Sequence, residues 1–136
     1  MSHASPLPEP AFLARFSALR NSRDPVFILF TSTRSPATGE RWCPDCASSD
    51  AVIEEAFSSS APASATLLTV EIERSRWKED PGKAHAFRQD PFLVRSIPTI
   101  VEWDGANQRV ARRVQDCEQM ELLADLFAKL PTSSPS

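Results

Sequence analysis

The sequence predicts an α/β fold in which a central mixed β-sheet carries helices on both faces. Segments with helical periodicity alternate with short apolar runs rich in strand-forming residues, which is typical of this class. Residues 104–107, Asp-Gly-Ala-Asn, join two strand-like runs with hairpin turn chemistry, so part of the sheet is antiparallel. A length of 136 residues suits one domain, which we place at residues 11–130. Composition rich in proline and serine predicts disorder for residues 1–10 and 131–136.

The first half of the domain is predicted as helix, strand, loop, helix and strand. Phe12, Phe16 and Leu19 recur at helical spacing. The run Val-Phe-Ile-Leu-Phe that follows is typical of a strand buried on both faces. The loop is inferred from polar composition that includes Pro36 and Gly39. In order, the predicted bounds are residues 11–20, 26–30, 31–41, 44–57 and 66–72.

The second half is predicted as a charged connection, a short helix, two strands and a last helix. Pro81 suits the first position of the short helix. Asp116 is expected to cap the last helix, with Gln119 three residues further on. The apolar stripe of that helix consists of Met120, Leu123, Leu126, Phe127 and Leu130. In order, the predicted bounds are residues 74–80, 80–90, 99–103, 109–114 and 116–130.

Charge and hydropathy exclude several classes of partner. The 15 basic and 18 acidic residues give a net charge of -3, which disfavours nucleic acid and anionic membrane surfaces. No stretch approaches the roughly 20 apolar residues that span a bilayer. The N-terminus lacks the basic start and apolar block of a secretory signal. We therefore expect a cytoplasmic protein, in a compartment where closely spaced cysteines are catalytic or metal-binding rather than structural. A short net-acidic domain with one reactive face is expected to be a monomer.

The Trp-Cys-Pro-Asp-Cys motif at residues 42–46 is the main candidate for chemistry, because it places a cysteine pair at the start of a helix. Pro44 suits the first helical position, which makes Cys43 the N-cap. A thiolate there is stabilised by the free amides of the first turn and by the helix dipole. Cys46 lies one turn deeper on the same face, within reach of a disulfide. The spacing predicts that Cys43 attacks a substrate disulfide and that Cys46 resolves the mixed disulfide.

The two residues next to Cys43 and Cys46 have distinct expected roles. The Asp45 carboxylate either opposes formation of the Cys43 thiolate, or accepts a proton from Cys46 during resolution, or only stabilises the first turn of the helix. The residues alone do not decide among these roles. Trp42 is expected to pack beside the cysteines and to shape the contact surface.

Zinc binding is the main alternative to redox chemistry at this pair. Zinc usually takes four ligands, and the remaining soft candidates, Cys117, His85 and His3, lack paired spacing, so no metal is expected. Cys117 is expected to open the last helix, as a half-buried packing residue in preference to a partly activated regulatory thiol. His85 is expected to be solvated on the short helix. Trp77 and Trp103 are expected to be packing residues.

Three segments together resemble one family. They are the motif at residues 42–46, Trp-Lys-Glu-Asp-Pro at residues 77–81 and Ile-Pro-Thr at residues 97–99. They are similar to thioredoxin domain-containing protein seventeen, a family of small cytosolic thioredoxin-related reductases, over roughly residues 12–127. The cysteine motif is the most specific part, because ordinary thioredoxins carry Cys-Gly-Pro-Cys. The long polar loop at residues 31–41 also resembles this family more than thioredoxin itself.

The resemblance implies a thioredoxin-like fold and a dithiol that reduces cystine, other small disulfides or exposed protein disulfides. It implies no bound cofactor, with electrons supplied by NADPH through thioredoxin reductase. Pro98 would match the cis-proline of the family, which faces the cysteines and leaves the Ile97 backbone free to pair with an extended substrate. Trp42, Ile97 and Pro98 are therefore the expected substrate-binding residues. The long loop would narrow access to Cys43.

The sequence also departs from the family pattern at two places. Glu79 is an extra residue within the second segment, and Leu29 is apolar where thioredoxin has a buried aspartate that helps the deeper cysteine lose its proton. Asp45 is hypothesised to replace part of that function.

Two other functions remain open from the sequence. In one, the domain is a redox-responsive binding module whose affinity is switched by the Cys43–Cys46 pair. In the other, it is an oxidase or isomerase, which needs an oxidising compartment and is disfavoured by the lack of a secretory signal. Turnover with thioredoxin reductase separates the reductase from the binding module.

Overall fold

The computed structural model describes residues 2–3, 5–78 and 85–128. The strands are β1 Ser2–His3, β2 Leu7–Pro8, β3 Val26–Ser32, β4 Thr66–Ile72, β5 Thr99–Asp104 and β6 Arg109–Val114. The helices are α1 Glu9–Leu19, α2 Pro44–Ser60, α3 Arg74–Trp77 and α4 Met120–Ala128, with a 3-10 turn at Ala86–Arg88. None of the helices in these ranges combines the length and apolar composition that crossing a bilayer requires.

The strands form one mixed sheet, as the sequence predicts. Its order is β1-β4-β3-β5-β6, and β2 pairs with β4 further along the same edge as β1. The pairs of β4 with β1, β2 and β3 are parallel, whereas β5 is antiparallel to both β3 and β6. The antiparallel pair β5–β6 closes at the predicted turn, where the Asp104 carboxylate accepts hydrogen bonds from the backbone amides of Ala106 and Asn107.

The central strand β3 is buried on both faces, which explains its uninterrupted apolar run. Successive side chains of a strand point to opposite faces, so Ile28 and Phe30 pack into one core while Phe27 and Leu29 pack into the other. The first core includes side chains from α1, α3 and the segment before β5: Phe12, Phe16, Trp77, Phe87 and Phe92. The second core includes side chains from α2 and α4: Ile53, Phe57, Leu123, Leu126 and Phe127. Helices therefore cover both faces, which confirms the predicted fold class.

The N-terminal segment differs from the predicted disorder of residues 1–10. Ser2–His3 and Leu7–Pro8 extend the parallel ladder along β4, and α1 begins at Glu9. Proline is compatible with both settings, because an edge strand and the first turn of a helix do not need its missing amide hydrogen. The predicted tail at residues 131–136 lies outside the described residues.

Glu9 joins this segment to the part of the chain that follows β4. Its carboxylate accepts hydrogen bonds from Arg76 Nε at 2.9 Å and pairs with His85 Nε2 at 3.0 Å. Burial alone would raise the pKa of Glu9, but the hydrogen bonds from Arg76 and His85 bring the pKa below its ordinary value.

The prediction of a solvated His85 is wrong. The side chain is buried, and its Nδ1 accepts a hydrogen bond from the backbone amide of Phe87 at 3.0 Å, which caps the turn Ala86–Arg88. Its other nitrogen faces Glu9, so both ring nitrogens have partners and burial is compatible with the polar ring. The predicted start of a helix at residues 80–81 lies outside the described residues.

The last helix begins later than the sequence predicts. α4 starts at Met120, and the Asp116 carbonyl instead accepts a hydrogen bond from the Gln119 amide in the preceding turn. Cys117 therefore lies in this turn and does not open the helix. Met120 is partly exposed at the end of the apolar stripe, and Leu130 lies outside the described residues.

Candidate active site

The two cysteines of the motif lie at the N-terminus of α2, next to the C-terminal end of β3. Cys43 occupies the N-cap in extended conformation (φ -102°, ψ 114°) and Pro44 opens the helix, as the spacing predicts. Cys43 is partly exposed, whereas Cys46 is 1% exposed one turn further on. Both are free thiols, so the structure shows the reduced dithiol.

The Cys43 thiol faces the loop that precedes β5. Its Sγ donates to the carbonyl oxygen of Ile97 at 3.6 Å, and its backbone amide donates to Ser32 Oγ at 3.4 Å. The hydrogen bond that a first-turn amide would donate to the Cys43 sulfur is absent in this reduced form. The Ile97–Pro98 peptide is cis, which confirms the cis-proline expected at Pro98. The Ile97 carbonyl faces the sulfur of the nucleophile.

The Cys46 thiol is surrounded by protein. Burial raises its pKa to about 12, and the neighbouring Cys43 adds to the rise. The hydroxyls of Thr31 and Ser32 lower the pKa of Cys46, because a nearby hydroxyl can donate to a thiolate and favours that form. Thr31 Oγ1 is fully buried and has no hydrogen-bond partner within the described residues, so its hydroxyl is available to a Cys46 thiolate when one forms.

Sequence reasoning missed Thr31 and Ser32, which were assigned to the loop. In the structure both belong to β3, whose last residues lie beside the N-terminus of α2. The available signal was their position directly after a buried parallel strand, because binding and catalytic groups gather at the carboxyl ends of such strands.

A buried arginine holds the loop that leads into the motif. The Arg41 side chain is 3% exposed and pairs with Asp50 Oδ2 at 2.9 Å and with Glu71 Oε2 at 3.2 Å. It also donates to the carbonyl oxygen of Ser32. Its backbone bridges to Arg34 across the loop. These contacts tie the loop to α2 and β4, and sequence reasoning did not single out Arg41 because charged side chains are rarely buried.

Trp42, the residue before Cys43, is also tied to the end of β4. Its Nε1 donates to the Ile72 carbonyl oxygen at 2.9 Å, at the end of β4, and its ring packs beside the first core. The ring remains partly exposed next to Cys43. This position agrees with the expectation that Trp42 shapes the surface around the nucleophile.

An open groove brings most of the predicted site residues together. It is lined by Trp42, Cys43, Pro44, Asp45 and Ile97, along with side chains of α3 and of the segment before β5. Cys46 is buried beneath its wall, and Pro98 lines a neighbouring cavity that also reaches Asp45. Four basic side chains that sequence reasoning did not assign to the site also line the groove: Arg74, Lys78, Arg88 and Arg95.

Asp45 is exposed on the first turn of α2. Its backbone carbonyl accepts a hydrogen bond from Ser49 Oγ at 2.7 Å, and the residue lines both the groove and the neighbouring cavity that Pro98 lines. Cys46, the next residue of that turn, is 1% exposed. Asp45 is therefore placed to act on charges in the groove.

The third cysteine is a packing residue. Cys117 is 1% exposed in the second core, and its Sγ donates to the Val114 carbonyl oxygen at 3.6 Å. Burial raises its pKa to about 12, with a further contribution from Cys46. The alternative of a partly activated thiol is therefore wrong, because this environment favours the protonated form. Trp77 and Trp103 are buried, which confirms their packing roles.

The chain is similar to a known family of thioredoxin-like proteins. The family model of the thioredoxin domain-containing protein 17-like thioredoxin domain matches residues 10–129. Thioredoxin-like protein Clot of Arabidopsis thaliana is 30% identical over 115 residues, which cover 83% of this chain and 82% of that protein. Thioredoxin domain-containing protein 17 of Homo sapiens is 28% identical over 104 residues, which cover 76% and 78%.

Solved structures agree on the fold. Trxlp of Edwardsiella tarda superimposes with a TM-score of 0.60 at 20% identity, covering 93% of this chain and 98% of that one. Oxidised mitochondrial thioredoxin 3 of Saccharomyces cerevisiae gives a TM-score of 0.57 at 15% identity, covering 96% and 95%. At these identities the similarity establishes the thioredoxin fold. Across the described ranges there is no group of three or more side chains arranged to hold a metal ion.

Proposed function

This chain belongs to the thioredoxin domain-containing protein 17-like family, and we propose that it is a disulfide reductase in which Cys43 is the nucleophile and Cys46 resolves the mixed disulfide. The observation that carries the proposal is the contrast between the two thiols. Cys43 is accessible at the N-terminus of α2, whereas Cys46 is buried one turn away with a raised pKa. Only one of the two can meet a substrate.

The first step is attack on a substrate disulfide. The Cys43 thiolate forms a bond to one substrate sulfur, the substrate S–S bond breaks, and the second sulfur leaves as a thiolate that takes up a proton. The Trp42 ring and the Ile97 backbone border the attacking sulfur, so they bind the substrate segment on either side. Pro98 supports Ile97 in this role.

The second step requires Cys46 to lose its proton. Part of the rise in its pKa comes from Cys43, through their hydrogen bond and through charge. In the mixed disulfide, Cys43 carries neither a charge nor a proton, so this part disappears. The hydroxyls of Thr31 and Ser32 then stabilise the Cys46 thiolate as it attacks Cys43 Sγ. The Cys43–Cys46 disulfide forms and the substrate leaves as a second thiol, which completes a two-electron reduction.

Recycling needs an external donor, because both electrons of the dithiol have been transferred. We assign this role to thioredoxin reductase with NADPH, with no cofactor bound to the domain itself. The substrates are cystine-like small disulfides and exposed protein disulfides. The loop fixed by Arg41 stands beside the groove and limits the size of what enters. We propose that the protein acts as a monomer in the reducing environment of the cytoplasm.

The test is NADPH oxidation by thioredoxin reductase with cystine in the presence of this protein. We expect turnover with the wild type and none with Cys43→Ser. The alternative is a redox-responsive binding module, which forms the Cys43–Cys46 disulfide but has no need of rapid recycling. A disulfide that forms readily, yet supports no turnover with this reductase, would contradict the proposal and favour that module.

A further inference from the structure

Basic side chains surround Cys43 in the groove. Arg74 and Lys78 come from α3 and the residue after it, and Arg95 comes from the loop before Ile97. All three are exposed. Asp45 is the one acidic side chain of the groove within the described part of the chain. Positive charge therefore predominates on both sides of the nucleophile.

A fourth basic residue, Arg88, links the two sides. Its guanidinium stacks 3.6 Å above the centre of the Trp77 ring, and it donates to the carbonyl oxygens of Trp77 and Arg95, both at 3.1 Å. These contacts fix α3 relative to the loop that carries Arg95. The backbone segments that carry the basic side chains are thus held in place beside Cys43, and Arg88 itself covers the Trp77 ring.

Burial lowers the pKa of Arg113, and the positive charge of the neighbouring Arg95 lowers it further. Arg113 itself donates to the carbonyl oxygens of Phe92 and Leu93. Two arginines are therefore close enough at this side of the groove for their charges to repel.

This local charge is opposite in sign to that of the whole chain, whose net charge is -3. The Debye length is about 8 Å at physiological ionic strength, so a substrate in the groove interacts mainly with the charges that line it. Among the described residues of the groove, three exposed cations stand against one carboxylate, a balance that attracts an anionic group and repels a cationic one.

We propose that the groove selects disulfides whose sulfur atoms are flanked by carboxylates. This inference rests on the proposed function and names its substrate class. Carboxylates on one side of the substrate cystine face Arg74 and Lys78, and those on the other side face Arg95. The reaction is the exchange described above, in which the dithiol is oxidised and the substrate disulfide is reduced to two thiols. The basic residues speed its first step by raising the local concentration of substrate at Cys43.

The test uses the reduced protein in a single turnover, with released thiol measured by rapid quench and chromatography, so no reductase is needed. The substrates are disulfide dimers of one short peptide whose cysteine is flanked by Glu, by Gln or by Lys. Glutathione disulfide also carries carboxylates near its disulfide, but in a small molecule. The wild type is compared with Arg74→Glu/Lys78→Glu, and Arg95→Glu provides an independent variant at the other side.

The matched control is Arg15→Glu/Arg23→Glu, which changes the net charge equally at exposed positions that do not line the groove. Because each rate is divided by the wild-type rate on the same substrate, differences in the intrinsic reactivity of the peptides cancel.

Relative to wild type, we expect Arg74→Glu/Lys78→Glu to reduce the disulfide of the Glu peptide about tenfold more slowly and that of the Lys peptide faster. Its rate with the Gln peptide is expected to stay within about twofold of the wild-type rate. The effect falls to about twofold in 0.5 M salt, where screening is stronger. A loss shared by glutathione disulfide supports recognition of carboxylates from either source. A loss confined to the peptide supports acidic protein segments as the substrates.

Two results would overturn the inference. In the first, the Gln peptide is reduced normally, but the rate ratios of the groove variants do not follow the charge of the peptide, or the control variant gives the same ratios. The charge selection is then wrong, while the assignment as a reductase stands. If the wild type reduces none of the disulfides, both the inference and the proposed function fail.

Discussion

Cys43 Sγ donates to the Ile97 carbonyl oxygen across 3.6 Å, and this contact joins the two halves of the site. One half is the N-terminus of α2 and the other is the loop that leads into β5. A carbonyl oxygen attracts a thiol hydrogen but repels a thiolate, so ionisation of Cys43 releases its sulfur from Ile97. The sulfur is then free to turn towards the first-turn amides or the substrate, and the Ile97 carbonyl is free to accept from a substrate amide.

Thr31→Val tests the role of the buried hydroxyl in the resolving step. The substitution keeps the shape of the side chain and removes one of the two hydroxyls that lower the pKa of Cys46, the other being that of Ser32. Loss of one weak hydrogen bond, about 1 kcal/mol, slows release of the second substrate thiol about fivefold. Rapid quench of a single turnover measures this step. Thr33→Val is the control, because Thr33 follows β3 and does not act on Cys46; an equal effect in both variants would refute the assignment.

Arg41→Met tests the buried ionic network. The Arg41 side chain is 3% exposed, and its loss leaves Glu71 and the Ser32 carbonyl without this partner, while Asp50 keeps Arg34. We expect the free energy of unfolding to fall by about 2–3 kcal/mol. Arg34→Met is the control: Arg34 pairs with the same Asp50, but its side chain is 48% exposed, and its loss costs less than about 1 kcal/mol. Urea unfolding measures both. A similar fall in the free energy of unfolding in the two variants would show that the burial of Arg41 does not increase its contribution to stability.

Stability is expected to fall at alkaline pH. The pKa values of Cys46 and Cys117 are each raised to about 12 by burial, whereas thiols of the unfolded chain ionise near pH 8.5, an approximate value. Between these limits the unfolded chain binds fewer protons, so each thiol lowers the free energy of unfolding by about 1.4 kcal/mol per pH unit. Urea unfolding under reducing conditions from pH 7 to 10 measures the slope. Cys117→Ala is expected to halve it above pH 9, and an unchanged slope would contradict the cause.

Asp45→Asn separates two roles of the carboxylate. Asp45 is exposed at the groove and Cys46 is buried beneath it, so we expect the resolving rate to stay within twofold of wild type. The first step with an acidic peptide disulfide is expected to accelerate about two- to threefold, because a repulsive charge is removed. The two phases of thiol release give both rates. A large loss in the second phase would instead identify Asp45 as the acceptor of the Cys46 proton.

The fold was predictable where the pattern of side chains is local. The apolar run of β3 requires burial on both faces, and the predicted bounds of β4 and β6 match the structure because turns and charged residues flank them. β1 and β2 were missed because prolines hide any strand pattern there. Their pairing depends on the free edge of β4, which is a tertiary property.

The site was predictable to the extent that one motif carries it. The Pro44 position and the cysteine spacing lead to an N-cap nucleophile without further information. Arg41 and His85 could not be placed, because their burial is possible only through partners distant in the sequence, such as Glu71 and Glu9. The basic groove is equally non-local, since it forms only when α3 packs beside the loop before β5.

The most direct test of the dithiol mechanism is to trap its intermediate with Cys46→Ser. The reduced variant is mixed with a peptide disulfide, and mass spectrometry then locates the adduct. We expect a stable mixed disulfide on Cys43 with one peptide thiol released per protein, whereas the wild type releases two and ends as the Cys43–Cys46 disulfide. An adduct on Cys117, or release of two thiols by the variant, would contradict the assignment of Cys43 as nucleophile and Cys46 as its resolving partner.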